Sequence, residues 1–170
     1  MRIRPRLKRY SPYGTYFGRL VSFGSGGHNQ LEKIISTYKG GVHRRTALQA
    51  SLFDPLLDQT AQLQRGFPCL QQVAFMPIEE NGLSVTGFYA MQYILDRGYG
   101  NYLGLARLGA FVAHELGRRL RQVICIAAVA QLGRNTTLAS ARTLRDQLKP
   151  MVEGDPAVGN AVQPIEGATP

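Results

Sequence analysis

Two strand-like segments joined by a short turn constrain the fold of this chain most. They are residues 69–78 and 83–93, and Glu79-Glu80-Asn81-Gly82 joins them. Asn-Gly supplies the positive-φ residues of a type I′ turn, whose twist matches that of two antiparallel strands. The second segment alternates between apolar and polar residues from Leu83 to Tyr89, as a half-buried strand does. The sequence therefore predicts an antiparallel hairpin that opens at Cys69.

Helical and strand-like segments surround this hairpin without strict alternation. An apolar face repeats at helical spacing in residues 28–38, and an amphipathic stretch at residues 100–116 ends at Gly117. Further strands are expected at residues 15–23, 46–53 and 121–132. The last of these is expected to be buried, because it is a long run of apolar and branched residues. This mixture favours an α+β fold over a doubly wound sheet.

The composition predicts one domain with two extensions. The chain has 170 residues, and we expect a basic arm at residues 1–10, a domain at residues 11–150 and a disordered tail at residues 151–170. No stretch approaches the roughly 20 apolar residues of a membrane helix. The 2 cysteines form no disulfide framework, which favours a reducing, cytoplasmic location.

The positive charge of the chain points to partners that carry phosphate. The formal net charge is +9, the arm is rich in arginine and lysine, and Arg118, Arg119 and Arg121 form a second cluster. Such charge serves a single nucleotide, a nucleic-acid backbone, or solubility alone.

Cys69 is the candidate nucleophile. It follows the pair Arg44-Arg45 and precedes Arg97 in the sequence. The arginine fork can bond two phosphate oxygens at once, and nearby positive charge favours the reactive thiolate form of a cysteine. The pattern therefore indicates a thiol beside a phosphate site. The alternative is that Cys69 is a small buried apolar residue, as most free cysteines are.

The order of five short motifs resembles a known superfamily. The motifs are Tyr13-Gly14, His43-Arg44-Arg45, Pro68-Cys69, Arg97 and Tyr102-Leu103-Gly104-Leu105. The helical residues 108–116 and the apolar residues 122–132 follow in register. Over residues 12–133 the chain resembles the catalytic half of the thymidylate synthase and pyrimidine hydroxymethylase superfamily.

This resemblance implies a fold and a reaction. The fold would be a thymidylate synthase-like α+β fold, with a mixed sheet, flanking helices, and sheets packed back to back in a homodimer. Cys69 would attack C6 of a pyrimidine nucleotide and make C5 nucleophilic towards a one-carbon unit, a methyl or hydroxymethyl group. The implied carbon donor is methylenetetrahydrofolate.

The resemblance also implies roles for individual residues. Arg97 would hold the nucleotide phosphate in its own subunit, whereas Arg44 and Arg45 would reach the phosphate of the partner subunit. Tyr13 would act beside the base.

The chain departs from the family pattern at several of its functional positions. Leu70 replaces the histidine after the cysteine, Leu108 replaces the asparagine that reads the base, and the catalytic glutamate has no assigned counterpart. We expect Asn101 and Gln71 to supply missing contacts to the substrate.

Four interpretations remain open from the sequence. The chain is a divergent enzyme acting at C5 of a pyrimidine nucleotide, or a catalytically silent homologue that binds a nucleotide or serves as a dimeric scaffold. The third interpretation is a nucleic-acid-binding module that uses the basic arm and the arginine cluster. The fourth is an unrelated α+β domain in which the order of motifs is a coincidence.

Overall fold

The structure, a computed structural model, describes residues 15–61, 67–134 and 136–153. The predicted basic arm, Tyr13 and the end of the chain beyond residue 153 lie outside these residues. The chain divides into two compact units, with the boundary between Gln131 and Leu132. Among the described helices, none combines the length and apolarity needed to cross a membrane.

The first unit is built on a four-stranded mixed sheet with strand order β1-β2-β3-β4. The strands are β1 (Gln49–Ser51), β2 (Leu70–Ile78), β3 (Gly82–Tyr93) and β4 (Arg119–Gln131). β2 pairs antiparallel with both β1 and β3, whereas β4 pairs parallel with β3. The predicted α+β class is confirmed.

Four helices accompany this sheet. They are α1 (Tyr16–Val21), α2 (Gln30–Lys39), α3 (Pro55–Asp58) and α4 (Tyr99–Glu115). A 3-10 turn at Arg45–Ala47 precedes β1, and a π-helical turn at Ile94–Gly98 leads from β3 into α4. Helix α4 is the crossover that a parallel β3–β4 pair requires.

The predicted strand at residues 15–23 is wrong, because this segment forms helix α1. Thr15 is its N-cap, and the Thr15 hydroxyl accepts a hydrogen bond of 3.0 Å from the Gly18 N–H. Leu20 is 2 % exposed and packs into the core. The N-cap and the burial of one side of this segment therefore stabilise a helix rather than a strand.

The core lies on one face of the sheet. Side chains of alternate strand residues, such as Val73, Val85 and Tyr89, form one cluster with residues of α1, α2 and α4. Packing is tight where α4 crosses β3, since a Cβ atom added at Gly109 would lie 2.9 Å from Val85 Cγ2. Among the described residues, Phe88, which alternates with Val85 and Tyr89 along β3, is not part of this cluster.

The predicted hairpin is confirmed, but its turn lies one residue earlier than expected. The residues with positive φ are Glu80 at 54° and Asn81 at 58°. Gly82 instead begins β3, where an added Cβ atom would lie 2.7 Å from Ile78 Cγ1. Close packing across the hairpin, rather than a positive φ angle, therefore explains why position 82 is a glycine.

The prediction that the last strand is buried is wrong. β4 forms an edge of the sheet, and most of its residues are exposed. Val123, Cys125 and Ala127 are only partly buried against the core. β4 is thus apolar both on the side that packs against the core and on the side that is exposed.

The second unit contains helix α5 (Leu138–Glu153). The Thr137 hydroxyl accepts a hydrogen bond of 3.1 Å from the Ser140 N–H at the start of this helix. The helix continues through Pro150.

Candidate functional site

Cys69 lies at the point where the β2–β3 pairing begins. Its carbonyl accepts a hydrogen bond of 2.9 Å from the Ala90 N–H, and Leu70 is the first residue of β2. The Cys69 side chain is partly buried and packs against the core cluster. The rigid start of the hairpin therefore fixes the position of the thiol.

The hydroxyl of Tyr16 lies against the Cys69 thiol. Burial raises the pKa of Tyr16, and the neighbouring thiol raises it further. A phenol is protonated at neutral pH even without this shift, so the Tyr16 hydroxyl can donate a hydrogen bond to the sulfur. Tyr16 is the first residue of α1, and its contact links this helix to the candidate nucleophile.

Tyr89 completes a cluster of weakly acidic groups around the thiol. It is 1 % exposed, and its pKa is raised by burial first and then by Cys125, Tyr16, Tyr102 and Cys69. Burial also raises the pKa of Cys125. The groups around Cys69 are thus thiols and phenols in their neutral forms.

An apolar cleft of about 350 Å³ opens beside this cluster. Its lining consists of aromatic and aliphatic side chains from α1 and α4, with Leu70 and Tyr89 from the strands and the polar residues Asn101 and Arg107. This volume lies near the lower end of the range of about 300 to 1,000 Å³ that is usual for small-molecule sites. The cleft therefore has room for one small ligand.

Two glycines of α4 leave bare backbone in the cleft wall. Gly100 and Gly104 both line the cleft, and a Cβ atom added at either would meet no atom within 4 Å. They are one helical turn apart and therefore lie on the same side of α4. A flat ring could approach the helix backbone closely at this point.

A buried ion pair holds α1 at the edge of the cleft. Arg19 donates two hydrogen bonds to the Asp58 carboxylate, at 2.5 and 2.9 Å, and a third of 2.8 Å to the Leu52 carbonyl. Burial alone would raise the pKa of Asp58, but the hydrogen bonds from Arg19 and from the Asp54 N–H lower it below its usual range. The pair joins α3 to the helix that carries Tyr16.

The structure separates the arginine pair from Cys69 within one chain. Arg44 and Arg45 are exposed, and Arg45 lines an open groove of about 820 Å³ together with residues 76–80 at the far end of β2. Arg97 is also exposed and belongs to the π-helical turn before α4. Neither Arg45 nor Arg97 lines the cleft beside Cys69.

Of the two polar residues expected to assist, one lines the cleft. Asn101 is part of its wall. Gln71 instead uses its side-chain amide to donate a hydrogen bond to the Pro68 carbonyl, next to Cys69 in the chain. Gln71 thus stabilises the segment that carries the thiol.

Sequence reasoning missed Tyr16, Tyr89 and Arg107. Arg107 belongs to a stripe with Gly100, Gly104 and Phe111, whose spacing of three or four residues places them on one side of α4. That spacing is visible in the sequence. The contact of Tyr16 with Cys69 has no such signal, because it joins residues 53 positions apart.

The site holds the groups for thiol chemistry. Within residues 15–61, 67–134 and 136–153, no group of three or more His, Cys, Asp or Glu side chains could hold a metal ion. The fold and the cleft together define an α+β protein with a core on one face of its sheet and an apolar pocket lined by Tyr16 and Leu70, the contact and the chain neighbour of Cys69, but not by Cys69 itself. Neither a protein-family model nor a curated protein sequence matches this chain.

Proposed function

We propose that the cleft beside Cys69 binds a pyrimidine nucleotide and that the protein transfers a one-carbon unit to C5 of its base. The observation that supports this best is the position of the thiol. Cys69 is partly buried and contacts Tyr16, and Tyr16 and the next residue, Leu70, line the apolar pocket. A reaction in the manner of the thymidylate synthases and pyrimidine hydroxymethylases would start from such a thiol, by its addition to C6 of the base.

Cys69 and Tyr16 would have separate parts in the reaction. The Cys69 thiolate would form a bond to C6, and the electron pair of the C5–C6 double bond would move to C5. C5 would then bond to the one-carbon unit, whose bond to a nitrogen of the donor would break. Addition of water would make this unit a hydroxymethyl group, whereas a hydride from the donor, which would be oxidised, would make it a methyl group. Loss of the C5 proton to solvent and of the thiolate would restore the double bond. The Tyr16 hydroxyl would stabilise the sulfur whenever it carries negative charge.

The aromatic part of the proposed donor, methylenetetrahydrofolate, would lie against the wall of the cleft that α4 forms. This molecule has flat rings and a carboxylate end and supplies the carbon unit when bound. The bare backbone at Gly100 and Gly104 would accept a flat ring, and Arg107 would pair with a carboxylate. Because the cleft holds about 350 Å³, nucleotide and donor together would need space beyond it.

We further propose that the protein is a homodimer whose sheets pack back to back. The sheet face opposite the core exposes Phe88, Ile124 and Ile126, at 40, 37 and 47 %. The strand register brings Phe88 beside Ile126 and Thr86 beside Ile124, so these side chains form one patch. In such a dimer Arg44 and Arg45 would approach the partner's nucleotide.

Phe88→Asp tests the dimer. A charge in the centre of a buried patch costs several kcal/mol unless it is paired, so we expect this variant to sediment as a smaller species than the wild type. Leu56→Asp is the matched control, because Leu56 is 95 % exposed and lies off the sheet. Equal sedimentation of the wild type and Phe88→Asp would contradict the back-to-back dimer.

Exchange of the hydrogen on C5 tests the chemistry without any donor. Reversible addition of Cys69 to C6 lets C5 take up a proton from the solvent, so dUMP, dCMP or CMP should lose its H5 signal by NMR in D2O. Cys69→Ser should abolish the exchange, and Cys125→Ser should preserve it. Exchange at the wild-type rate in Cys69→Ser, or none with any of the three nucleotides, would contradict the proposed reaction.

A catalytically silent homologue that binds a nucleotide remains the alternative. It predicts stabilisation by a pyrimidine monophosphate without exchange at C5. A ligand present at 100 times its Kd should add about 2.7 kcal/mol to the free energy of unfolding. Loss of this gain in Arg97→Ala would support a phosphate site at the start of α4.

A further inference from the structure

One edge of β4 has no partner strand in the described part of the chain. β4 pairs with β3 from Arg119, opposite Gly82, to Gln131, opposite Tyr93. It is the last strand in the sheet order, so its other edge presents free backbone N–H and C=O groups. With 13 residues it is also the longest strand described.

This edge lacks the features that normally keep edge strands apart. From Gln122 to Gln131 the strand contains no charged residue, no proline and no glycine. Ile124, Ile126 and Val129 are exposed at 37, 47 and 48 %. Exposed edges are usually protected by charges, prolines, bulges or covering segments. A strand of this composition is suited to pairing with another strand.

The charges of β4 lie at one end only. Arg119 and Arg121 begin the strand, and the neutral Gln131 ends it. A parallel pair of two such strands would bring the arginines of both copies together. An antiparallel pair brings each arginine end beside a neutral end and places apolar residues opposite apolar residues.

We propose that β4 pairs antiparallel with β4 of a second copy of this chain, so that the two sheets become one sheet of eight strands. Residues that lie opposite each other must point to the same face of the joined sheet. The regular pairing with β3 resumes at Gln122 after an irregularity at Arg121. With residues 122–131 paired over their whole length, this rule places the two-fold axis close to Ile126, and Gln131 of each copy then comes beside Arg119 or Arg121 of the other.

The edge-to-edge contact uses the backbone groups along the edge of β4, whereas the back-to-back dimer uses side chains on the face of the sheet, Ile124 and Ile126 among them; the test keeps the two contacts apart. All measurements are made in the Phe88→Asp variant, in which the back-to-back contact is disabled. Sedimentation velocity over a range of concentrations gives the Kd of the remaining dimer. Failure of the back-to-back dimer would leave this measurement unaffected.

Two substitutions of opposite charge at Gln131 supply the decisive comparison. Gln131→Glu faces the partner's arginines and should tighten the dimer, whereas Gln131→Lys should weaken it. Because each symmetric dimer contains the contact twice, we expect the two Kd values to differ at least about fourfold. The difference should shrink at high salt and vanish when Arg119→Gln and Arg121→Gln are added.

Hydrogen exchange gives a second readout on the same protein. Residues 122–131 should gain protection as the concentration rises through the Kd. A monomer at all concentrations would overturn the proposal, as would Gln131→Glu and Gln131→Lys shifting the Kd in the same direction. Protection that persists in a dilute monomer at the β4 N–H groups pointing away from β3 would also overturn it, because another segment of the chain would then cover this edge.

Discussion

Replacing Asp58 by Asn should destabilise the first unit and loosen the helix that carries Tyr16. The Asp58 side chain is 2 % exposed and that of Arg19 is 22 % exposed. Asn keeps the shape of the side chain but removes its charge and turns one oxygen into a donor that faces the guanidinium. The carboxylate also accepts a hydrogen bond of 2.8 Å from the Asp54 N–H.

The burial of the two partners sets the magnitude. Breaking a buried ion pair by removing one partner costs about 3 to 5 kcal/mol, because the other charge is left uncompensated. Water reaches part of Arg19, which places the expected loss at the lower end, about 3 kcal/mol. With a urea m-value of about 2 kcal/mol/M, the midpoint should fall by about 1.5 M.

Urea denaturation monitored by far-UV circular dichroism measures this loss. Tryptophan fluorescence cannot be used, because the chain contains no Trp. The matched control is Asp146→Asn. Asp146 pairs with Arg145, but both side chains are largely exposed, at 62 and 69 %. Exposed pairs of this kind contribute about 0 to 1 kcal/mol. A loss below about 1 kcal/mol for Asp58→Asn would refute the view that this ion pair anchors α1.

The pH dependence of stability provides a separate check on the direction in which folding shifts the pKa of Asp58. The pKa of Asp58 is lower in the folded protein than its usual value. Its contribution to stability is therefore complete above the unfolded pKa of about 3.9 and is lost as the pH falls through the lower folded pKa. The stability gap between wild type and Asp58→Asn should be constant from about pH 5 to 7 and should narrow below about pH 4. A gap that stays constant in acid would contradict this assignment.

Three further predictions concern the cleft and the helix beside it. Tyr16→Phe should slow alkylation of Cys69 by iodoacetamide about fivefold, since one hydrogen bond of about 1 kcal/mol is lost, and mass spectrometry of the labelled peptide measures this rate. Gly104→Ala should raise the free energy of unfolding by about 0.4 to 1 kcal/mol, because an added Cβ atom meets nothing within 4 Å. Gly109→Ala should lower it by about 1 to 3 kcal/mol, because its Cβ atom would lie 2.9 Å from Val85 Cγ2. Opposite signs in urea melts of these two alanine variants are the diagnostic result; equal signs would show that the packing around α4 is misjudged.

Local signals made much of the fold predictable. The hairpin and α4 follow from turn residues, alternation and a glycine stop that lie within the elements themselves. α1 could not be read in this way, because six residues are too few to distinguish helical from strand periodicity. Its helical state depends on a cap at Thr15 and on the tertiary contact between Arg19 and Asp58. The exposure of β4 was not predicted. An apolar run shows that a strand can pack against another apolar surface, but it does not show that this surface belongs to the same chain.

The candidate site was predictable only in part for a related reason. Cys69 and Asn101 belong to segments whose local geometry the sequence indicates. In the structure Asn101 lines the cleft, and Cys69 contacts Tyr16, another lining residue. The grouping of Arg45 with Cys69 assumed that neighbours in the order of motifs are neighbours in space. A strand lies between them, and side chains at its two ends cannot meet.

This separation makes the subunit arrangement decisive for any phosphate beside Cys69. Arg45 lines a groove with Met76, seven residues along β2 from Cys69, which corresponds to roughly 20 Å at the rise of a β-strand. Arg45 of the same chain therefore cannot hold a nucleotide whose base contacts Cys69. If Phe88→Asp abolishes both the dimer and the binding of a pyrimidine monophosphate, the phosphate is held by the partner's arginines. If binding survives in the monomer, the phosphate is held within one chain, and Arg97 and Arg107 are the residues to substitute.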